Sequence, residues 1–246
     1  MTALVLSDVH LRDATSVKTQ LVIRFLQQVA SRFENLYILG DLFDAWPVTS
    51  PYLIRLFDPV IETLRGLAKN GSRITYIEGN HDFHLGAFFS ESLGIRVCVN
   101  ELVEDWNGRR VYMIHGDLGN PKQLGHRLFR ALTRQPAVAV GLKCIPQSFL
   151  FRVSSSASHM SRRYRPLGPE VEQKIRNIYR GAAQDLFKKG YDVVMMGHTH
   201  LPDDLTVSVD GRSCRYLNTG DWVKHFTYLE FDGQEIYTKT HPLKEI

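Results

Sequence analysis

An α/β fold is what this chain predicts, on three observations. Short apolar runs alternate with longer stretches whose apolar residues recur at helical spacing, the strand–helix–strand rhythm of an α/β sheet. Most of these short runs lead into Asp, Asn or His instead of a neutral turn residue. Towards the C-terminus the rhythm changes to short runs separated by Asp-Gly pairs, a hairpin signal.

Taken in order, residues 3–7 (ALVLS) read as a buried strand. Residues 16–33 read as a helix, with Leu21, Val22, Phe25, Leu26 and Val29 on one face. A second strand is expected over 35–40, a second helix over 51–69 and a third strand over 73–78. Further strands are expected over 110–115 and 191–196, with a helical pattern over 168–189 before the latter. Residues 205–209, 214–218, 226–231 and 235–240 are short strands, punctuated by Asp210-Gly211 and Asp232-Gly233. No internal repeat or low-complexity tract interrupts the pattern.

The totals bound the class. A chain of 246 residues fits one large domain, or one domain with an insertion. With 43% hydrophobic and 23% charged residues it has the material for a sizeable core. The segment MTALVLSDVH has no basic n-region, and no run reaches the ~18 apolar residues of a membrane span, so neither a signal peptide nor a span is expected. Cys98, Cys144 and Cys214 are odd in number and far apart, which argues against a disulfide framework and a cysteine zinc site and for a reducing cytoplasm. The net charge of +4 is mild, and its distribution says more than its size.

The residues just past each strand carry the chemistry. After 3–7 come Asp8 and His10; after 35–40 come Asp41 and Asp44; after 73–78 come Asn80, His81 and Asp82. The fourth strand ends in His115, and the fifth leads to His198-Thr199-His200. In open α/β sheets ligands bind at the carboxyl ends of strands, so these side chains are expected on one rim. A lone Asp or Asn there is usually a turn or helix cap. Five separate turns would not all need a metal-ligand residue type. Imidazole, carboxylate and amide oxygen suit divalent manganese, iron, cobalt or zinc. The candidates exceed one ion's needs, so two ions are expected; such pairs sit about 3.5–4 Å apart and clamp the oxygens of a phosphoryl transfer.

Asp8-Val9-His10, Gly40-Asp41-Leu42-Phe43-Asp44, Gly79-Asn80-His81-Asp82, His115-Gly116-Asp117 and Gly197-His198-Thr199-His200, in that order, closely resemble the calcineurin-like metallophosphoesterases. The resemblance implies a four-layer αββα sandwich, two sheets face to face with helices outside. It implies that Asp8, His10, Asp41 and His200 hold one ion, that Asp41 bridges, and that Asn80, His115 and His198 complete the second. It gives His81 the phosphate or the leaving group, with Asp82 orienting His81. A carboxylate beside a His does fix its tautomer and raise its basicity.

Between Asp117 and Glu170 there is no acidic residue, while Lys122, Arg127, Arg130, Arg134, Lys143, Arg152, Arg162, Arg163 and Arg165 are interleaved with aliphatic and aromatic residues at helical spacing. A solvated helical subdomain is the plain reading. A nucleic-acid surface fits less well, because single-strand binders favour stacking aromatics and these residues are mostly aliphatic; no stable nucleic-acid partner is expected. The favoured reading is a lid, residues 120–168 within a single 1–246 domain, that takes an amphiphile with an anionic head, Arg127, Arg130, Arg162 or Arg163 gripping the head.

With Gly40-Asp41-Leu42-Phe43-Asp44-Ala45-Trp46, Asn80-His81-Asp82-Phe83-His84-Leu85-Gly86, Gly197-His198-Thr199-His200-Leu201-Pro202 and Asn218-Thr219-Gly220-Asp221-Trp222 added, the chain is similar to the UDP-2,3-diacylglucosamine diphosphatases over nearly its whole length. That resemblance implies a manganese enzyme peripheral to the inner membrane. It would cleave the diphosphate of a lipid-linked nucleotide sugar, giving UMP and a lipid sugar 1-phosphate in lipid A biosynthesis. The best-characterised branch carries Arg where His81 stands. The alternative is therefore a metal-dependent phosphoesterase or phosphodiesterase acting on another nucleotide, phospholipid or phosphoprotein. Trp46 and Trp222 read as packing residues, and Asp221 as a candidate partner for a ligand His.

Overall fold

The computed structural model describes residues 1–161 and 168–242; Arg162, Arg163 and Arg165 of the expected basic segment lie outside the described residues. Among the described residues the strands form two sheets. The first is built on β1 (Ala3–Leu6), β2 (Asn35–Ile38) and β3 (Arg73–Ile77), mutually parallel, with Leu4 opposite Leu36 and Leu36 opposite Ile74. β4 (Arg96–Cys98) extends one edge in parallel. The second sheet runs β5 (Glu101–Trp106), β6 (Arg109–Ile114), β7 (Val193–Met196), β9 (Arg212–Asn218), β8 (Asp203–Val209), with β6, β7 and β9 parallel. β10 (Thr227–Phe231) and β11 (Ile236–Thr240) return to the first sheet beside β1, antiparallel.

Strand periodicity builds the layers. Successive side chains point to opposite faces, so Ala3, Val5, Tyr37, Leu39 and Ile77 share one buried cluster with Val111, Met113, Val193, Met195 and Leu217 of the second sheet. Leu4, Leu6, Leu36, Ile38 and Ile74 face the other way. They pack with Val22, Phe25 and Leu26 of α1 (Val17–Gln28) and Val60, Ile61 and Leu64 of α3 (Asp58–Lys69). On the far side Val194, Met196, Cys214 and Tyr216 pack with Tyr179, Ala183 and Phe187 of α7 (Pro169–Lys188). Helix, sheet, sheet and helix are the four layers the resemblance implied.

Two expected helices are shorter. The pattern over 51–69 divides into α2 (Pro51–Leu56) and α3, because Pro59 has no N–H to give the carbonyl four residues back. The pattern over 16–33 is α1 followed by a 3₁₀ turn, Ala30–Arg32. β4 and β5 were not anticipated: β4 has three residues, and β5 carries Glu101, Glu104 and Asp105 among its less buried positions. Between β6 and α7 lie α4 (Leu124–Thr133), α5 (Pro136–Lys143) and α6 (Gln147–Ser161), inside the segment expected as an insertion.

Candidate metal centre

The candidate residues stand on the loops that follow β1, β2, β3, β6 and β7, at the carboxyl ends of strands from both sheets. The loops are laced together. His10 N–H donates to Asp41 O at 2.8 Å, Trp46 N–H to His81 O at 2.8 Å and Gly197 N–H to His115 O at 2.8 Å. The sheets meet where His198 N–H donates to Asp8 Oδ2 at 2.8 Å. Ser7 Oγ shares that oxygen and lies 2.5 Å from Thr219 Oγ1. Asp8, His10, Asp41, His198 and His200 all have φ between 53° and 68°. That region is sparsely populated by residues with a side chain and persists only where the surroundings over-determine it. Gly40 and Gly79 provide the room: a Cβ on Gly40 would lie 2.7 Å from His115 Nδ1, and one on Gly79 would overlap Asp41 Oδ1.

The ring nitrogens are sorted by their outer partners. His115 Nδ1 is 2.7 Å from Leu39 O; a carbonyl only accepts, so Nδ1 carries the proton and Nε2 faces inward. His200 Nδ1 is 3.2 Å from Asp221 Oδ2, which again leaves Nε2 inward. His200 Nε2 then lies 3.2 Å from His10 Nε2 and 3.4 Å from Asp8 Oδ1. Asp8 Oδ1 is buried and has no hydrogen-bond partner among the described residues. Across the rim, Asn80 Oδ1 lies 2.9 Å from both His115 Nε2 and His198 Nδ1. Asp41 Oδ2 sits between the halves, 3.4 Å from His115 Nε2 and 3.8 Å from His10 Nε2. Ligands held at about 2.1 Å and about 100° around one ion are about 3.2 Å from one another. The groups Asp8–His10–His200 and Asp8–Asp41–His115 therefore fit a divalent cation, and His10, Asp44 and His81 form a third convergent group.

The electrostatics agree. Burial would lower the His115 imidazole, but the carboxylates of Asp41, Asp8 and Asp117 outweigh it and push it up to about 9. His200 is raised by Asp8 and Asp221, again against burial. Burial lifts the Asp8 carboxyl above the usual range against the pull of His200 and His115; Asp41 is held below it by His115 and His81 despite its burial. A buried rim that draws protons onto its imidazoles holds more negative charge than its own cations cancel, and a divalent cation answers that need.

Asp82 requires a correction. It does not orient the His81 ring. Its carboxylate accepts the N–H groups of Asp41 (2.9 Å), Gly79 (3.0 Å) and Phe43 (3.2 Å) and the Tyr76 hydroxyl, so it braces the loops that carry Asp41 and Asn80. His81 is held instead by Asp44, whose carbonyl accepts from Nδ1 at 3.1 Å, while Nε2 faces Asp41 Oδ2 at 3.9 Å. Arg130 is committed to the protein: its Nε lies 2.6 Å from Asp117 Oδ2 and its Nη atoms bond Asn100 and Val99 O. Arg127 is exposed and lines a cavity of about 750 Å³ with Lys122, Tyr112 and Asn177; Arg162 and Arg163 lie outside the described residues. Sequence reasoning placed Asp44 near the site without a role, and gave none to His84. It missed Glu78 and the part played by Arg134 altogether. Asp44 had a visible signal, a second Asp in Gly40-Asp41-Leu42-Phe43-Asp44.

A family model for calcineurin-like phosphoesterases matches residues 1–202. Face-packed sheets with a rim of buried Asp and His side chains and a part-buried Asn define the class, a metal-dependent hydrolase. The chain is 32% identical to the UDP-2,3-diacylglucosamine hydrolase of Xanthomonas campestris pv. campestris, over 95% of this chain and 96% of that protein. It is 31% identical to the protein of the same name from Stenotrophomonas maltophilia, with 95% and 96% covered. A solved structure described as a novel archaeal phosphodiesterase shares 16% identity at a TM-score of 0.48, covering 98% of this chain and all of that one. The chain belongs to the calcineurin-like phosphoesterase family.

Proposed function

We propose that this chain is a dinuclear, manganese-dependent hydrolase that cleaves the diphosphate of UDP-2,3-diacylglucosamine, releasing UMP and the diacylated sugar 1-phosphate. The observation that carries the reading is the likeness to hydrolases of that name along 95% of the chain. The insertion supports it. Leu124, Leu128, Phe129, Val140, Phe149 and Val153 are each more than half exposed, on helices that also carry Arg127, Lys143 and Arg152. Apolar side chains for acyl chains and cations for phosphate or an anionic lipid surface belong to one amphiphilic ligand. No described helix is long and apolar enough to cross a membrane, so contact with the inner-membrane surface would be peripheral.

Asp8, His10, Asp41 and His200 would hold one ion, and Asn80, His115 and His198, with Asp41 shared, the other. Bound divalent ions supply Lewis acidity and lower the pKa of water to near neutrality. Leu39 O and Asp221 keep His115 and His200 in the tautomers that leave Nε2 unprotonated. His81 Nδ1 donates to Asp44 O, so Nε2 carries a proton only in the imidazolium form; that is the proton it would give to a phosphate or leaving-group oxygen. Asp82 fixes the loops, and Arg127 receives the anionic head.

The test is UMP release by the Mn²⁺-loaded protein from UDP-2,3-diacylglucosamine in mixed micelles, beside UDP-N-acetylglucosamine and bis-p-nitrophenyl phosphate, with Asp41→Ala as control. The expected result is turnover of the lipid substrate that the variant loses. Turnover of the generic diester alone would replace the lipid assignment with the broader phosphodiesterase reading.

A further inference from the structure

The inserted helices are fastened to the rim at two places, and each fastening ends behind a different group of ligand candidates. At the end of α4, the Arg134 side chain is only 9% exposed. It pairs with the Glu78 carboxylate and donates to Gly79 O at 2.7 Å and Val99 O at 3.1 Å. The loop reciprocates: His84 Nε2 lies 2.7 Å from Thr133 O, and because a carbonyl only accepts, His84 donates. Glu78 closes the loop on itself, Oε1 accepting Leu85 N–H at 3.0 Å. Residues 78–85 are thus stapled to α4 at both ends, with Asn80 and His81 between the staples. On the other flank, Ser158 of α6 donates to Asp44 Oδ1 at 2.8 Å and Ser155 to Oδ2 at 3.3 Å. Asp44 Oδ1 is 3.8 Å from His10 Nδ1.

A solvated helical face would not bury an arginine against backbone carbonyls, because the desolvation cost is recovered only where each donor finds an acceptor. Arg134 finds acceptors on three residues, and two of them, Glu78 and Gly79, lead directly into Asn80. We propose that Arg134 is a positioning residue for Asn80, and that Ser158, through Asp44, is a positioning residue for His10. The insertion thereby holds both halves of the metal centre in register as well as meeting the substrate. This rests on the metal assignment above.

The experiment is Mn²⁺ binding to the metal-free full chain, followed by the electron paramagnetic resonance of free Mn²⁺, with the metal-free melting temperature as a check on folding. Asn80→Ala and His10→Ala identify which binding step belongs to which half. Arg134→Lys keeps the charge against Glu78 but cannot reach all three acceptors at once. It is expected to weaken the step that Asn80→Ala removes by about tenfold or more and to leave the other step in place. Ser158→Ala is expected to weaken the step that His10→Ala removes. Should Arg134→Lys not fold, Glu78→Gln, which loses the ion pair but keeps the chain length, is read in the same way. A lowered melting temperature with wild-type binding in both steps would make the fastenings mere structural anchors and overturn the proposal. Fewer than two Mn²⁺ bound by the wild-type protein would overturn the metal assignment itself.

Discussion

Asp221 shows how one outer carboxylate decides what a ligand candidate presents. Its Oδ1 accepts the N–H groups of Val223 (3.1 Å), Lys224 (2.7 Å) and His225 (2.9 Å), and its Oδ2 faces His200 Nδ1. The His200 contact and these N–H donors hold its carboxyl well below the usual range in spite of burial. An amide has one acceptor oxygen. Asp221→Asn must therefore keep that oxygen on the three N–H groups and turn its NH₂ to His200, which moves the imidazole proton to Nε2. We expect a 10- to 100-fold loss of Mn²⁺ affinity at the step assigned to His10 and His200; an unchanged isotherm would sink the argument. The pH dependence has a definite sign. In the metal-free protein His115 is pushed up to about 9, so its imidazolium persists at neutral pH and an incoming ion must displace the proton. Mn²⁺ affinity should rise as pH goes from about 6.5 to about 9. Calorimetry at pH 7 in buffers of different ionisation enthalpy should register proton release. Without metal the sign reverses for stability: the His115 contribution is complete below its unfolded value and is lost as pH rises through about 9. The candidate ligand residue types were legible because each comes within a few positions of a strand's end. Which nitrogen faces inward was not, because Leu39, Asp44 and Asp221 come from other loops.

At the scale of elements, the core and the helices between β6 and α7 should respond in opposite ways to mutation. Phe187 of α7 is fully buried against Val194, Met196 and Tyr216. Phe187→Ala should cost about 3–5 kcal/mol in urea unfolding, from lost transfer energy and the cavity left behind. Phe149 of α6 is 61% exposed. Phe149→Ser should change stability by no more than about 0.5 kcal/mol yet lower turnover of the micellar substrate; equal activity would argue against the amphiphile reading. The main helices and central strands were readable because their apolar periods are unbroken. The division at Pro59 overrode a pattern that otherwise continues through it. β5 was hidden because only one of its faces is buried and the other is largely acidic, so its apolar content is low although its alternation is correct.

For the whole molecule, the rim joins the two sheets, since Asp8, His10, Asp41 and Asn80 follow strands of the first and His115, His198 and His200 follow strands of the second. An ion bound there binds the folded state alone. Chelation should therefore lower the melting temperature, by an amount set by a linkage of about 2.7 kcal/mol at a hundredfold excess over Kd; in Asp41→Ala the chelator effect should shrink. The amino-acid order by itself determined the α/β class, the strand ends and the residue types gathered there, because strand periodicity and Gly-Asp, Gly-Asn-His and Gly-His turns are local chemistry. Tertiary structure alone decided that Asp82 braces loops while Asp44 holds His81, and that Arg130 and Arg134 are anchored to the rim. Those outcomes depend on which donor lies within about 3 Å of which acceptor, a relation between residues tens of positions apart that no local pattern encodes.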